Sequence, residues 1–327
     1  MRRREFIAGL GSAAACPVVA RGQQRALPII GVLCGATFES MNTLLAWVYQ
    51  GLADESYTEN QNFAVQLRWA DDKYDRLPVL VADLVRLRVD LIIALGTTPG
   101  ALAAKSATQT IPIVFLVGTD PVEVGLVSSL ARPGGNITGI TVIVVELMAK
   151  CLSLVHELVP TANPVAVLLN PANRTQSEIE LRDVQAAARM LGVRLLILNA
   201  STPDEIERAF ATLTSARAGG LVVSGELLFL NQRDQLFALA ARHGVPAIYT
   251  GGGAVAAGAL MSYGTNFSED YRQLGTYAGR ILKGTKPADL PVRRPTKVGL
   301  GINLKIAKAL GIEVPTSILL FADEVIE

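Results

Sequence analysis

DLIIALGTTPGALAAKSATQTIPIVFLVGTDPVE, residues 90–123, decides the fold. Five apolar residues, Leu91 to Leu95, open it, a run short enough for a strand buried on both faces. Gly96-Thr97 turns the chain, and Thr98 stands where an N-cap is expected. Pro99 takes the first helical position, where a missing N–H is no loss. The alanine-rich stretch to Ala107 is helical by propensity, and Ile111-Pro112 stops it. Ile113 to Val117 reads as a second buried strand. Gly118-Thr119-Asp120-Pro121 then repeats the turn, the cap and the proline. This is a βαβ unit whose two strands both end in small polar residues at helix starts. Open parallel sheets bind ligands at such strand ends, near a switch in strand order.

The flanking chain repeats the unit. Leu27 to Leu33 reads as a strand ending in the loop Gly35-Ala36-Thr37, followed by a helix carrying Leu44, Leu45, Val48 and Leu52 at helical spacing. Asn62 to Trp69 alternates as a strand, and the next helix carries Leu77, Leu80, Val81 and Leu84. After the unit, a helix capped by Asp120 is expected from Pro121 to Ala131, then a strand from Ile137 to Val142. Five strands alternating with four helices predict a doubly wound sheet.

A helix over Glu146 to Leu158 leads to a second series. Strands are expected at Val165–Leu169, Val193–Leu198, Leu221–Val223, Pro246–Tyr249 and Ala259–Tyr263. Helices fall at Glu178–Leu191, after Ser201-Thr202-Pro203, and at Asn231–His243. A helix over Glu269–Leu282, a proline-rich crossing segment and an extended stretch over Lys297–Leu304 close the chain. The expected fold class is α/β, two doubly wound Rossmann-like lobes joined by hinge strands. One lobe takes residues 23–144 with a return segment near 265–294. The other takes 145–264 with the tail 295–327.

Composition narrows the function. Half of the 327 residues are hydrophobic, 6% are aromatic, and the net charge is +1. Without a basic stripe or helix-turn-helix signature, nucleic acid is not an expected partner. The first 22 residues read as a signal peptide: a charged start at Arg2-Arg3-Arg4, a mildly apolar stretch from Ile7 to Val19, and an A-x-A-like site at Ala20-Arg21-Gly22. Arg3-Arg4-Glu5-Phe6-Ile7 fits the twin-arginine export pattern, with an ordinary Sec signal as the alternative. Its removal takes away four arginines and one glutamate, turning +1 into −2. Ala13-Ala14-Ala15-Cys16 lacks the aliphatic residue of a lipobox, which argues against lipid anchoring. Cys34 ends a strand and Cys151 lies in a helix, so pairing is not expected but stays open. No cysteine–histidine cluster has metal-ligand spacing, and no cofactor is expected.

An export signal followed by two Rossmann-like units and a crossing tail resembles type I periplasmic binding proteins. More narrowly, the chain resembles the ABC transporter substrate-binding family that includes tryptophan- and tyrosine-binding members. The resemblance rests on RRREFI, QNFAVQLRWADDKYDRLP, TIPIVFLVGTDPVEVGLVSSLARPGGNITG, LVHELVP, ILKGTKPADLP and INLKIAKALGIEVP, spread over nearly the whole chain. It implies a monomeric periplasmic receptor whose lobes close on a small molecule and then dock on a membrane permease of an ABC transporter.

In such a cleft the strand-end loops would bind the ligand. Candidates are Thr37, Thr97, Thr98, Thr119 and Asp120 from the first lobe, and Asn170, Asn173, Glu226 and Tyr249 from the second. Helix-start N–H groups suit a carboxylate, hydroxyls and amides fix orientation, and a carboxylate suits an ammonium group. Each has a plainer role open to it. Thr98 and Asp120 precede prolines and could only cap. Asn170 and Asn173 flank a proline and could only shape a turn, and Tyr249 could be a core aromatic. Glu226, a carboxylate among apolar residues, needs a partner or solvent.

Three functions remain open at this level. A non-catalytic solute receptor for an amino acid or an aromatic amino acid-like ligand is preferred. An exported α/β enzyme is the first alternative, against which stands the lack of a G-x-S-x-G elbow, a metal motif or a placed G-x-G-x-x-G. A clamshell sensing component of a signalling system is the second.

Overall fold

The computed structural model describes residues 27–142, 144–295 and 297–327. The expected signal peptide, including Cys16, lies outside the described residues.

The first sheet contains β1 (Ile29–Cys34), β2 (Ala64–Trp69), β3 (Leu91–Leu95), β4 (Ile113–Val117) and β5 (Ile137–Thr141). All are parallel, in the order β2-β1-β3-β4-β5. Apolar runs form the inner strands β3 and β4 because both faces are covered, and the pleat sends alternate residues to opposite layers. Leu91, Ile93 and Leu95 join one core with α1 (Phe38–Asp54) and α9 (Phe267–Leu282). Ile92 and Ala94 join the other, with α2 (Leu77–Arg86) and α3 (Thr98–Ala107).

The second sheet contains β6 (Val165–Leu169), β7 (Leu195–Asn199), β8 (Gly220–Val223), β9 (Ala247–Thr250), β10 (Met261–Gly264), β11 (Gly299–Asn303) and β12 (Glu324–Ile326). Its order is β12-β11-β10-β9-β8-β6-β7, parallel except for the β10–β11 pair. One face carries α4 (Val144–Leu158) and α5 (Arg174–Leu191). The other carries α6 (Pro203–Ser215) and α8 (Arg233–His243).

The chain crosses three times between the sheets. It leaves β5 for α4, returns from β10 into α9, and leaves again for β11. The return is anchored by a close helix crossing. A Cβ at Gly51 of α1 would stand 1.8 Å from the Arg272 carbonyl oxygen, and one at Gly275 of α9 would stand 2.0 Å from that of Val48. Only glycine on both helices allows this approach. Beyond α9, Thr138 Oγ1 donates to the Leu290 carbonyl at 2.6 Å, tying the last crossing segment to β5.

Several local expectations change. Pro121 to Ala131 forms successive turns instead of a helix, because Gly125 takes φ 70° and ends the single turn that Val124 N→Asp120 O begins. Thr97, not Thr98, caps α3, its hydroxyl accepting from Gly100 N at 3.3 Å. The helix expected over Asn231–His243 is present as α8, starting at Arg233, and a short additional helix, α7 (Leu227–Asn231), precedes it with Glu226 as its cap. Cys34 and Cys151 are both free and buried, one in each lobe's core.

Candidate ligand site between the lobes

From β2 to β5 and from β7 to β10 the two sheets have the same winding: the first strand of each lies between the second and the third. The strand order therefore switches beside β1 and β3 in one lobe and beside β6 and β8 in the other, the positions where such sheets bind ligands. Gly35 and Gly96-Thr97 end the first pair, and Asn170 and Ser224-Gly225-Glu226 end the second.

These ends meet. Tyr74, in a single 3₁₀ turn after β2, donates its hydroxyl to Glu226 Oε1 at 2.6 Å. Leu227 packs into the first lobe's core, where a Cβ on Gly96 would stand 3.3 Å from its Cδ2. Further out, Arg182 of α5 pairs with Glu123 at 3.2 Å, and Ile179 packs on Val124.

Glu226 is 2% exposed and accepts four donors. Besides Tyr74, these are Asn173 Nδ2 on Oε1 at 3.3 Å, and Asn170 Nδ2 at 3.0 Å and Leu228 N at 2.7 Å on Oε2. Asn170 Oδ1 in turn accepts from Ala172 N and Ser201 Oγ. Asn173 Nδ2 also donates to Gln176, Gln176 Nε2 donates to Glu180 Oε1 at 2.9 Å, and Ser224 Oγ lies 2.8 and 2.7 Å from the two Glu180 oxygens. Asn170, Asn173 and Glu226 thus belong to one buried network at the lobe boundary.

The network is acidic. Among the described residues, no lysine or arginine pairs with Glu226, Glu180 or Asp72. Burial pushes the Glu180 carboxyl up to about 7 against the pull of its Gln176 and Ser224 hydrogen bonds. Burial, then the charges of Glu226 and Asp71, raise Asp72 to about 6. Burial and the Glu226 carboxylate hold the Tyr74 phenol well above its ordinary range, so it remains a donor.

Beside the network lies a cavity of about 460 Å³, within the range of small-molecule sites. Asn42, Thr43 and Trp47 of α1 form its first-lobe wall. Ser224, Glu226, Phe229, Phe237, Tyr249 and the Gly251–Gly253 loop form the second-lobe wall, and Phe267 closes it at the start of α9. Tyr249 stacks edge-on against Phe237 with ring centroids 4.9 Å apart, and its buried hydroxyl has no hydrogen-bond partner.

The remaining candidates sit apart from this cavity. Thr98 and Thr119 share a buried hydroxyl contact of 3.0 Å, and the Thr119 carbonyl accepts from Thr141 Oγ1. Asp120 Oδ1 accepts from Val122 N at 2.7 Å and Glu123 N at 3.3 Å. Thr37 is half-buried in the loop between β1 and α1. Tyr74, Asp72, Gln176 and Glu180 escaped the sequence reading. Tyr74 and Asp72 reach the network only through the packing of one lobe on the other, and Gln176 and Glu180 through a buried face of α5 that their spacing does not mark.

Two parallel-sheet lobes whose switch points close on one polar network define a type I periplasmic binding fold. The chain belongs to the ABC transporter substrate binding protein family, whose model matches residues 29–326. A tyrosine-binding protein of Clostridioides difficile (strain R20291) is 30% identical over 268 residues, 81% of this chain and 75% of that protein. The ABC domain from Streptococcus pneumoniae solved in complex with L-Trp is 25% identical with a TM-score of 0.77, covering 91% of this chain and all of that one. The ligand-free, open structure of a Clostridium difficile substrate binding protein has 24% identity and a TM-score of 0.60, covering 92% and 99% of the two chains. Members of this family are binding proteins. No described helix is long and apolar enough to cross a membrane.

Proposed function

We propose that this substrate-binding protein is an exported, monomeric receptor that traps an amino acid, with an aromatic one as first choice, and delivers it to an ABC permease. The observation that carries this reading is the Tyr74–Glu226 bond between the lobes, beside a cavity with walls from both. Trp47, Phe229, Phe237, Tyr249 and Phe267 give that cavity apolar, aromatic walls suited to a ring, and Glu226 supplies a charged corner. The relatives named for tyrosine and solved with L-Trp agree with that chemistry. The division into lobes at about residues 144 and 264, with the return segment and tail exchanged, belongs to the same reading, as do export through the twin-arginine signal and a periplasmic location.

Closure works by differential contact. A ligand touching both lobes stabilises the arrangement in which Tyr74 reaches Glu226, and a ligand touching one lobe does not. A thermal-shift screen of the purified protein against amino acids, aromatic acids and polyols tests the reading. Stabilisation by amino acids supports it, whereas stabilisation by polyols alone would redirect it to sugars.

A further inference from the structure

Asp72 stands at the lobe boundary, two residues before the tyrosine that bonds Glu226. It follows β2 at φ 60°, and its amide donates to the Gly35 carbonyl at 2.8 Å. Its Oδ1 is buried without a hydrogen-bond partner. Arg76, four residues on, is engaged by Asp71 and the Ala70 carbonyl. From the other lobe, Asn173 is 1% exposed, and its Oδ1 is likewise unpartnered while its Nδ2 holds Glu226.

Both orphans are acceptors, and both neighbour the same carboxylate. A buried acceptor without a donor costs about 1–3 kcal/mol, and buried carboxylates without a cation cost more. A carboxylate or hydroxyl ligand group cannot remedy this, since one offers no donor and the other a single proton. A protonated amine offers several N–H donors together with the missing positive charge.

Resting on the receptor reading above, we infer that the ligand carries a protonated amine, held at the lobe boundary by Asp72 of the first lobe and the Asn173 side-chain carbonyl of the second, beside the Glu226 charge. The rest of the ligand occupies the adjoining cavity. Asp72 is then the specificity-determining acid of the first lobe, and its ion pair with the amine draws the lobes together.

The test starts from the amino acid that binds best in titration calorimetry of the purified chain. It is compared with its decarboxylated amine and its deaminated acid, on the parent and on Asp72→Asn. Asparagine tolerates the left-handed backbone at this position, so the variant should melt no lower than the parent. The inference expects the amine to retain binding and the deaminated acid to lose about 100-fold or more. It expects Asp72→Asn to lose about 10-fold or more for the amine-bearing ligands. A deaminated acid that binds as tightly as the amino acid, or unchanged affinity in Asp72→Asn, overturns this inference and leaves the receptor reading standing. Failure of every amino acid and amine to bind overturns both.

Discussion

Tyr74 and Glu226 lie 152 residues apart in sequence and share a 2.6 Å hydrogen bond across the two lobes. It is the one first-lobe donor among the four on that carboxylate, so it alone of them is made or broken as the lobes move. Tyr74→Phe removes a bond to a charged group, worth about 1.5–3 kcal/mol. Ligand affinity should fall about 10-fold or more, and solution X-ray scattering should show a larger radius of gyration than the parent. Equal compactness and equal affinity would mean that the bond does not govern closure.

Glu180 makes stability depend on pH. Its folded carboxyl stands at about 7, above the ordinary 4.5, so the folded chain keeps a proton that the unfolded chain has released. This contribution is complete below about pH 4.5 and is lost as pH rises through about 7. Asp72 and Asp270, each raised to about 6 chiefly by burial, act in the same direction. Glu180→Gln should therefore flatten, without abolishing, the fall in melting temperature between about pH 5 and about pH 8. A variant with the parent's pH profile would refute this assignment.

Thr98 and Asp120 have structural employment where they stand. Asp120→Ala removes a cap on two backbone N–H groups and should lower stability by about 1 kcal/mol. Thr98→Val breaks the buried pairing with Thr119 at a similar cost, about 1–3 kcal/mol. Both variants should bind ligand like the parent in calorimetry. A tenfold loss of affinity at unchanged melting temperature would return either residue to the ligand site.

Gly51 tests the seat of the return segment. An alanine there would drive its methyl into the Arg272 carbonyl and force α1 from α9. The expected loss is about 1–3 kcal/mol or more, read as an earlier denaturation midpoint. An unchanged midpoint would show that the helices adjust freely.

Much of the fold could be read locally, because continuous apolar runs such as Leu91–Leu95 and Val165–Leu169 admit little besides buried parallel strands. Turn chemistry was harder: the expected helix from Pro121 to Ala131 is stopped by Gly125, which takes a left-handed φ. In the site, Asn170, Asn173 and Glu226 were legible as polar residues ending apolar strands. Tyr74 and Asp72 were not, since they follow an amphipathic strand and reach the boundary only through the packing of one lobe on the other. Glu180 sits in mid-helix, where a carboxylate ordinarily faces water, and nothing in its spacing marks it as buried.

Titration calorimetry of the parent chain and of Glu226→Ala against the proteinogenic amino acids tests the central claim most directly. The account predicts saturable one-to-one binding of at least one aromatic amino acid by the parent, and a loss of about 100-fold or more in a variant that remains folded. Absence of binding by every amino acid, or undiminished binding by folded Glu226→Ala, would contradict it.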